Sequence, residues 1–145
     1  MTTRASRMLG GLLSALLLAP ALAAEPLTPD LAPPELPIPQ SVTADGNLAA
    51  IHQQGFAHWA AISQSGAGNQ GAIVQHGRQH IASIEQRGDG NLASILQFGL
   101  MPQQAGITQL GDDNRARIEQ RPGTRTDIDI LQRGDAMRVD ITVKR

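Results

Sequence analysis

Glycine returns every eleven residues through the centre of this chain, at Gly55, Gly66, Gly77, Gly88 and Gly99, and that interval constrains the fold more than any other feature. A fixed period means that one small unit is built repeatedly and stacked, so the first question is what one unit can form. Each unit carries four residues of one parity: Asn47, Ala49, Ile51, Gln53; His58, Ala60, Ile62, Gln64; Asn69, Gly71, Ile73, Gln75; His80, Ala82, Ile84, Gln86; and Asn91, Ala93, Ile95, Gln97. The series continues as Gln103, Ala105, Ile107, Gln109; Asn114, Ala116, Ile118, Gln120; and Thr126, Ile128, Ile130, Gln132, with one extra residue in the units that begin at Gly99 and Gly111. Alternation with period two marks one face of a β-strand, because the same residues on a helix would be spread around the cylinder. Glycine just after each strand supplies the positive φ that a tight corner requires.

A longer period lies on top of the first. Asparagine occurs only at positions 47, 69, 91 and 114, while the alternate units begin with His58, His80, Gln103 and Thr126. The true repeat is therefore about 22 residues, two strands and two unlike corners, and Gly46, Gly68 and Gly90 mark the tighter corner. Stacking such rungs predicts an all-β fold, a β-solenoid of about four and a half rungs in which Ala and Ile form a narrow core between two sheets. Asn and Gln at the strand ends then lie about 4.8 Å from their counterparts and form amide ladders, which pairs polar groups that would be costly to bury alone. One Ile and one Ala per unit bury too little to offset chain ordering, so ladders that grow with each rung must supply the rest.

Composition narrows the function classes. The 145 residues contain no cysteine, which removes disulfide frameworks and thiolate chemistry, and Phe56, Phe98 and Trp59 are the full aromatic set. So few aromatics argue against both a conventional core and a transmembrane barrel with aromatic girdles. A formal net charge of −1 gives no electrostatic case for nucleic acid. Arg4 and Arg7, the apolar run from Met8 to Ala19 and the small residues Ala21 and Ala23 fit a cleavable signal peptide over residues 1–23. Residues 24–40, with six prolines, read as a linker, and 41–145 as the solenoid, with a charged last part at 111–145.

Other constellations carry less. His52, His58, His76 and His80 lack the spacing of a metal-ligand pair, and His58 and His80 sit one rung apart on one corner as substitutes for asparagine. Protonating both would set like charges about 5 Å apart and slow assembly near pH 5. Trp59 is placed on an outward strand position and Phe98 in a turn. Asp45, Asp89, Asp112 and Asp113 lie near glycine turns without the acidic nonapeptide of a calcium β-roll, and Asp127 and Asp129 sit on an outer face. No catalytic arrangement and no cofactor are expected. A ligand-binding solenoid would keep one outer face uniform, whereas the outer series here runs Ala50, Ala61, Ala72, Ser83, Ser94, Gly106, Arg117, Asp129, Asp140.

The pattern Gln-x-Gly-x-Gly-Asn-x-Ala-x-Ile-x-Gln, in Gln64 to Gln75, Gln86 to Gln97 and, with Asp113 for the second glycine, Gln109 to Gln120, resembles the curlin repeat of bacterial curli. Within that family the Ala-x-Ile-x-Gln form and the basic ending from Met137 to Arg145 are more similar to the minor, nucleating subunit than to the major fibre subunit. The resemblance implies secretion through an outer-membrane pore, attachment at the cell surface through an accessory factor, self-association and templating of the major subunit. His58, His80, Gln103, Thr126 and Met137 depart from it in place of asparagine, and Val143 replaces the last glutamine.

Charge divides the repeats. From Ser41 to Leu110 only Asp45, Arg78, Glu85, Arg87 and Asp89 are charged, whereas Gly111 to Arg145 holds seven acids and eight bases. Charge discourages stacking of identical copies. The uncharged rungs are therefore expected to template, and the charged end, with Arg133, Arg138, Lys144 and Arg145 as candidates, to attach to the surface.

Overall fold

The computed structural model describes residues 12–17, 40–123 and 125–144. Nine strands form the solenoid: β3 (Asn47–Phe56), β4 (Trp59–Ser65), β5 (Gln70–Arg78), β6 (Ile81–Arg87), β7 (Leu92–Gly99), β8 (Gln103–Leu110), β9 (Arg115–Gln120), β10 (Thr126–Arg133) and β11 (Arg138–Val143). Two more precede them, β1 (Leu12–Leu17) and β2 (Gln40–Ala44). Strands alternate between two sheets, ordered β1-β4-β6-β8-β10 and β11-β9-β7-β5-β3-β2.

Within the solenoid every neighbouring pair is parallel and in register. Ile51 lies beside Ile73, Ile73 beside Ile95 and Ile95 beside Ile118 on one sheet, and Ile62, Ile84, Ile107 and Ile130 align on the other. The expected inward parity holds: Ala49, Ile51, Ile73, Ile95 and Ile118 are buried, together with Ala60, Ile62, Ala82, Ile84, Ala93, Ala105, Ile107, Ala116 and Ile130. Ile128, Val139 and Ile141 at the C-terminal end are partly buried and pack against this core. One layer of Ala and Ile thus holds two sheets together.

The corners explain why the period is strict. Gly77 has φ +133, and a Cβ there would collide with the carbonyl of Gly99 in the next rung. The tighter corner takes positive φ at Gly68 and Gly90, and where the sequence changes to Asp113 and Ala136 those residues adopt the same left-handed geometry, at φ 57 and 55. Their backbone bonds keep the corner stacked, with Gly90 donating to Ala67 and Asp113 to Asp89 at 2.9 Å each.

Two sequence expectations change. The solenoid begins at Asn47 rather than Ser41, because Asp45 and Gly46, both at positive φ, turn β2 back antiparallel along β3. Phe98 lies inside β7, not in a turn. In the 1–23 segment only Leu12–Leu17 is described, as a strand antiparallel to β4, and the 24–40 segment lies outside the described residues except Gln40, which opens β2.

Candidate functional site

The repeated amides are the chemistry that the fold concentrates. On one sheet Gln53 Nε2 donates to Gln75 Oε1 at 2.8 Å, Gln75 to Gln97 at 2.9 Å and Gln97 to Gln120 at 2.9 Å. On the other, Gln64 donates to Gln86 at 2.8 Å, Gln86 to Gln109 at 2.9 Å and Gln109 to Gln132 at 2.7 Å. Each Nε2 after Gln53 also reaches across to a carbonyl of the opposite sheet, as Gln64 does to Leu48 and Gln97 to Ile81. The glutamines therefore bind rung to rung and sheet to sheet, and inward amides are stable because identical stacking satisfies them.

Asn47, Asn69, Asn91 and Asn114 are buried and form the expected asparagine ladder, joined from rung to rung largely through backbone groups. Each Oδ1 accepts the backbone N–H of the residue one rung on: Asn47 from Asn69, Asn69 from Asn91, Asn91 from Asn114 and Asn114 from Met137, at 2.8 to 3.1 Å. Each Nδ2 closes the same corner one rung on by donating to a glycine carbonyl, Gly66, Gly88, Gly111 and Gly134 in turn, at 2.7 Å. A direct side-chain bond occurs from Asn91 Nδ2 to Asn69 Oδ1 at 3.0 Å.

Histidine reproduces this geometry on the alternate corner. His58 Nδ1 lies 3.3 Å from the N–H of His80, the place taken by Oδ1 in the asparagines, while its Nε2 meets the Gln54 carbonyl at 3.0 Å. The two rings stack with centroids 5.1 Å apart. Burial lowers both below their ordinary value, so each is held as the neutral imidazole whose Nδ1 can accept. The column breaks at Gln103, where the extra residue in the turn leaves His80 Nδ1 and Gln103 Oε1 buried without partners.

Two features were missed by reasoning from sequence. Asp89, Asp112 and Asp135 form a carboxylate column in which Oδ1 accepts from Ala67, Asp89 and Asp112 of the preceding rung, at 2.7 to 2.9 Å. The even spacing of the three acids was the available signal. Likewise, Arg115 stands in register with Arg138, and Arg117 with Asp140, around a shallow depression that Leu92 and Ser94 complete. Glu119 pairs with Arg117 and Arg121 at 3.0 and 2.7 Å, which lowers its carboxyl below the usual range, chiefly through Arg121.

The attachment candidates lie at the C-terminal end of the stack. Arg133 ends β10 on one sheet, Arg138 and Lys144 lie in and after β11 on the other, all three exposed, and Arg145 is outside the described residues. Among the described residues no three His, Asp or Glu side chains converge as a metal site would require.

No curated protein and no solved structure matches the chain. Residues 44–77 and 66–99 each match the family model described as the curlin associated repeat. These two windows overlap by one strand-corner unit, and the glutamine and asparagine columns run through both and on to Gln132 and Asn114. Over residues 44–99 the chain is thus similar to the curlin family, whose associated repeat these rungs carry.

Proposed function

We propose that this chain is a secreted minor curlin-like nucleator, which templates polymerisation of a major curlin subunit into fibres at the cell surface. Curlin repeats build a structural amyloid of the extracellular matrix, and self-association into fibres is the property common to the family. The observation that carries the finer reading is the asymmetry of the stack. The glutamine and asparagine columns run unbroken through rungs almost free of charge, then end at Val143 and Met137 in the charged part of the chain. A fibre-building subunit gains from columns that continue through both ends, whereas a nucleator needs one usable end and one end for attachment.

In this reading the 1–23 segment is a leader and 24–40 a spacer. The chain passes an outer-membrane pore and is held by a surface accessory factor through the basic end, and the exposed Arg115 beside Arg138 adds to Arg133, Lys144 and Arg145 there. The test is a seeding assay with residues 24–145 added in small amount to a major curlin. Shortening of the lag is expected, and a chain that neither becomes β-rich on standing nor shortens the lag refutes the proposal. Deleting 123–145 should keep seeding and release the protein from cells; retained attachment with lost seeding would reverse the two roles.

A further inference from the structure

The strand registers of the described residues keep like charges apart, with one exception. Charged outward positions mostly meet neutral ones: Glu85 lies between Ser63 and Thr108, Arg87 between Ser65 and Leu110, Asp127 beside Gln104 and Asp129 beside Gly106. Two charged residues meet on β9 and β11, with opposite sign at Arg117 and Asp140 but with the same sign at Arg115 and Arg138. Like charges directly opposite on neighbouring strands are destabilising, and among the described residues neither of these two guanidiniums has an ion-pair partner. The stacked corner acids Asp89, Asp112 and Asp135 differ, because each accepts a backbone N–H of the preceding rung. Arg115 and Arg138 are a cationic pair that the fold sets side by side and leaves uncompensated.

Both side chains leave the outer face of the sheet and are exposed. Neighbouring strands lie about 4.8 Å apart, close enough for two guanidiniums to grip one anion between them. Leu92 continues their row on β7, and Ser94, Arg117 and Asp140 form the facing row, so that the two rows wall an open furrow of about 290 Å³. That volume is at the lower limit for small-molecule sites and takes a small ester rather than a peptide strand. Arg117 is engaged by Glu119 at 3.0 Å and stands in register with Asp140, so the free positive charge lies on the wall of Arg115 and Arg138. Two unpaired guanidiniums suit a dianion, and a phosphomonoester carries nearly two negative charges and three acceptor oxygens at neutral pH.

We propose that this furrow binds a phosphomonoester, with Arg115 and Arg138 donating to its oxygens and the Ser94 hydroxyl as a further donor from the facing row. Binding removes the repulsion that the register builds in, since the anion between the two guanidiniums attracts both. The proposal extends the attachment reading above by giving part of the basic end a ligand chemistry of its own, and it does not depend on the seeding role. The furrow opens on the face of the sheet and not on its edge, so it stays accessible whatever adds to the end of the stack. The phosphate comes from a sugar phosphate or from a lipid headgroup, and the two sources are told apart below.

The experiment is equilibrium binding of radiolabelled glucose 6-phosphate to the full chain, with glucose as the uncharged control. Saturable binding with a Kd on the order of 1 mM is expected from two charge-assisted contacts at an open site, and glucose should not bind. Arg115→Gln and Arg138→Gln should each weaken binding about tenfold. Arg138→Glu turns the like pair into an opposite one, so its guanidinium midpoint should be no lower than that of the wild type while binding is lost, which separates the ligand site from the fold. Arg78→Gln/Arg125→Gln removes two exposed charges elsewhere and should stay within about twofold of the wild type, because distant charges are screened. Vesicles of phosphatidylcholine with and without phosphatidic acid identify the source: co-sedimentation that requires phosphatidic acid and Arg115 places the phosphate on a lipid, and binding of the sugar phosphate alone places it on a saccharide. Binding that survives in Arg138→Glu, an equal loss in the Arg78→Gln/Arg125→Gln control, or no binding of either probe overturns the inference. Neither seeding nor cell attachment is read, so failure here is separable from failure of the nucleator proposal.

Discussion

Acidification should act on this protein through two stacked imidazoles. His58 and His80 both have their protonation pushed below the ordinary value near 6.5, first by burial and then by charge, that of His80 and His76 on His58 and that of His76 on His80, against hydrogen bonds to Gln54 and His76 carbonyls that act the other way. His76, bonded to Gln54 at 3.0 Å, also carries an exposed ring in this region, and no carboxylate contributes to either shift. Because the folded values are lowered, the unfolded chain binds more protons below pH 6.5. Stability is thus complete above that pH, falls as pH drops towards the lowered values, and is lost to its full extent below them. At the 5.1 Å ring separation two positive charges repel by about 1 kcal/mol if screened as in water and about 3 kcal/mol at an effective dielectric of about 20. Protonation of Nδ1 on His58 also removes the acceptor for the His80 N–H, a loss of about 1 kcal/mol. Assembly of residues 24–145 followed by dye fluorescence at pH 7.5 and pH 5 should therefore show at least about a tenfold longer lag in acid. The variant His58→Asn/His80→Asn, which restores the asparagine corner, should lose most of that dependence. An unchanged pH profile in the variant would refute the reasoning.

Three further substitutions test the stack itself. Gly77→Ala should abolish ordered assembly, since the added methyl meets the Gly99 carbonyl and the residue sits at φ +133; normal fibres by electron microscopy would show that the corner is laxer than described. Ile95→Ala removes a fully buried side chain from the middle of the core and should lower the stability of assembled protein by about 2 to 5 kcal/mol, read from the guanidinium midpoint. Gln97→Leu breaks bonds to Gln75, Gln120 and the Ile81 carbonyl and should cost about 3 kcal/mol by the same measurement, whereas an exposed change such as Ser83→Ala should cost almost nothing.

The features legible in the sequence were those fixed by side-chain alternation. Period two names the inward residues, and the 22-residue repeat of Asn47, Asn69 and Asn91 fixes which strands stack, because a slip by one residue would turn every Ile outward. Histidine at 58 and 80 could be placed on a corner, but not that its Nδ1 would stand in for an asparagine Oδ1, since that depends on the backbone N–H of the following rung. The asparagine ladder was legible, but not that its amides also close a corner some twenty residues away, as from Asn91 to Gly111. The column Asp89, Asp112, Asp135 went unread because exposed acids near turns are ordinarily solvated, and only the stacked corner offers them a donor. The covering strands β1 and β2 follow no repeat, so nothing periodic could announce them.

The central claim is that the amide columns are built within one chain and that rungs 22 or 23 residues apart are neighbours in the assembled protein. Solid-state NMR of fibres selectively labelled at glutamine tests it most directly, by following contacts between Gln75 and Gln97 and between Gln86 and Gln109 as labelled chains are diluted with unlabelled ones. Both contacts should persist at full intensity, since each joins residues of the same molecule at 2.9 Å. Their disappearance on dilution, or replacement by contacts of each glutamine with its own copy in another chain, would contradict the solenoid.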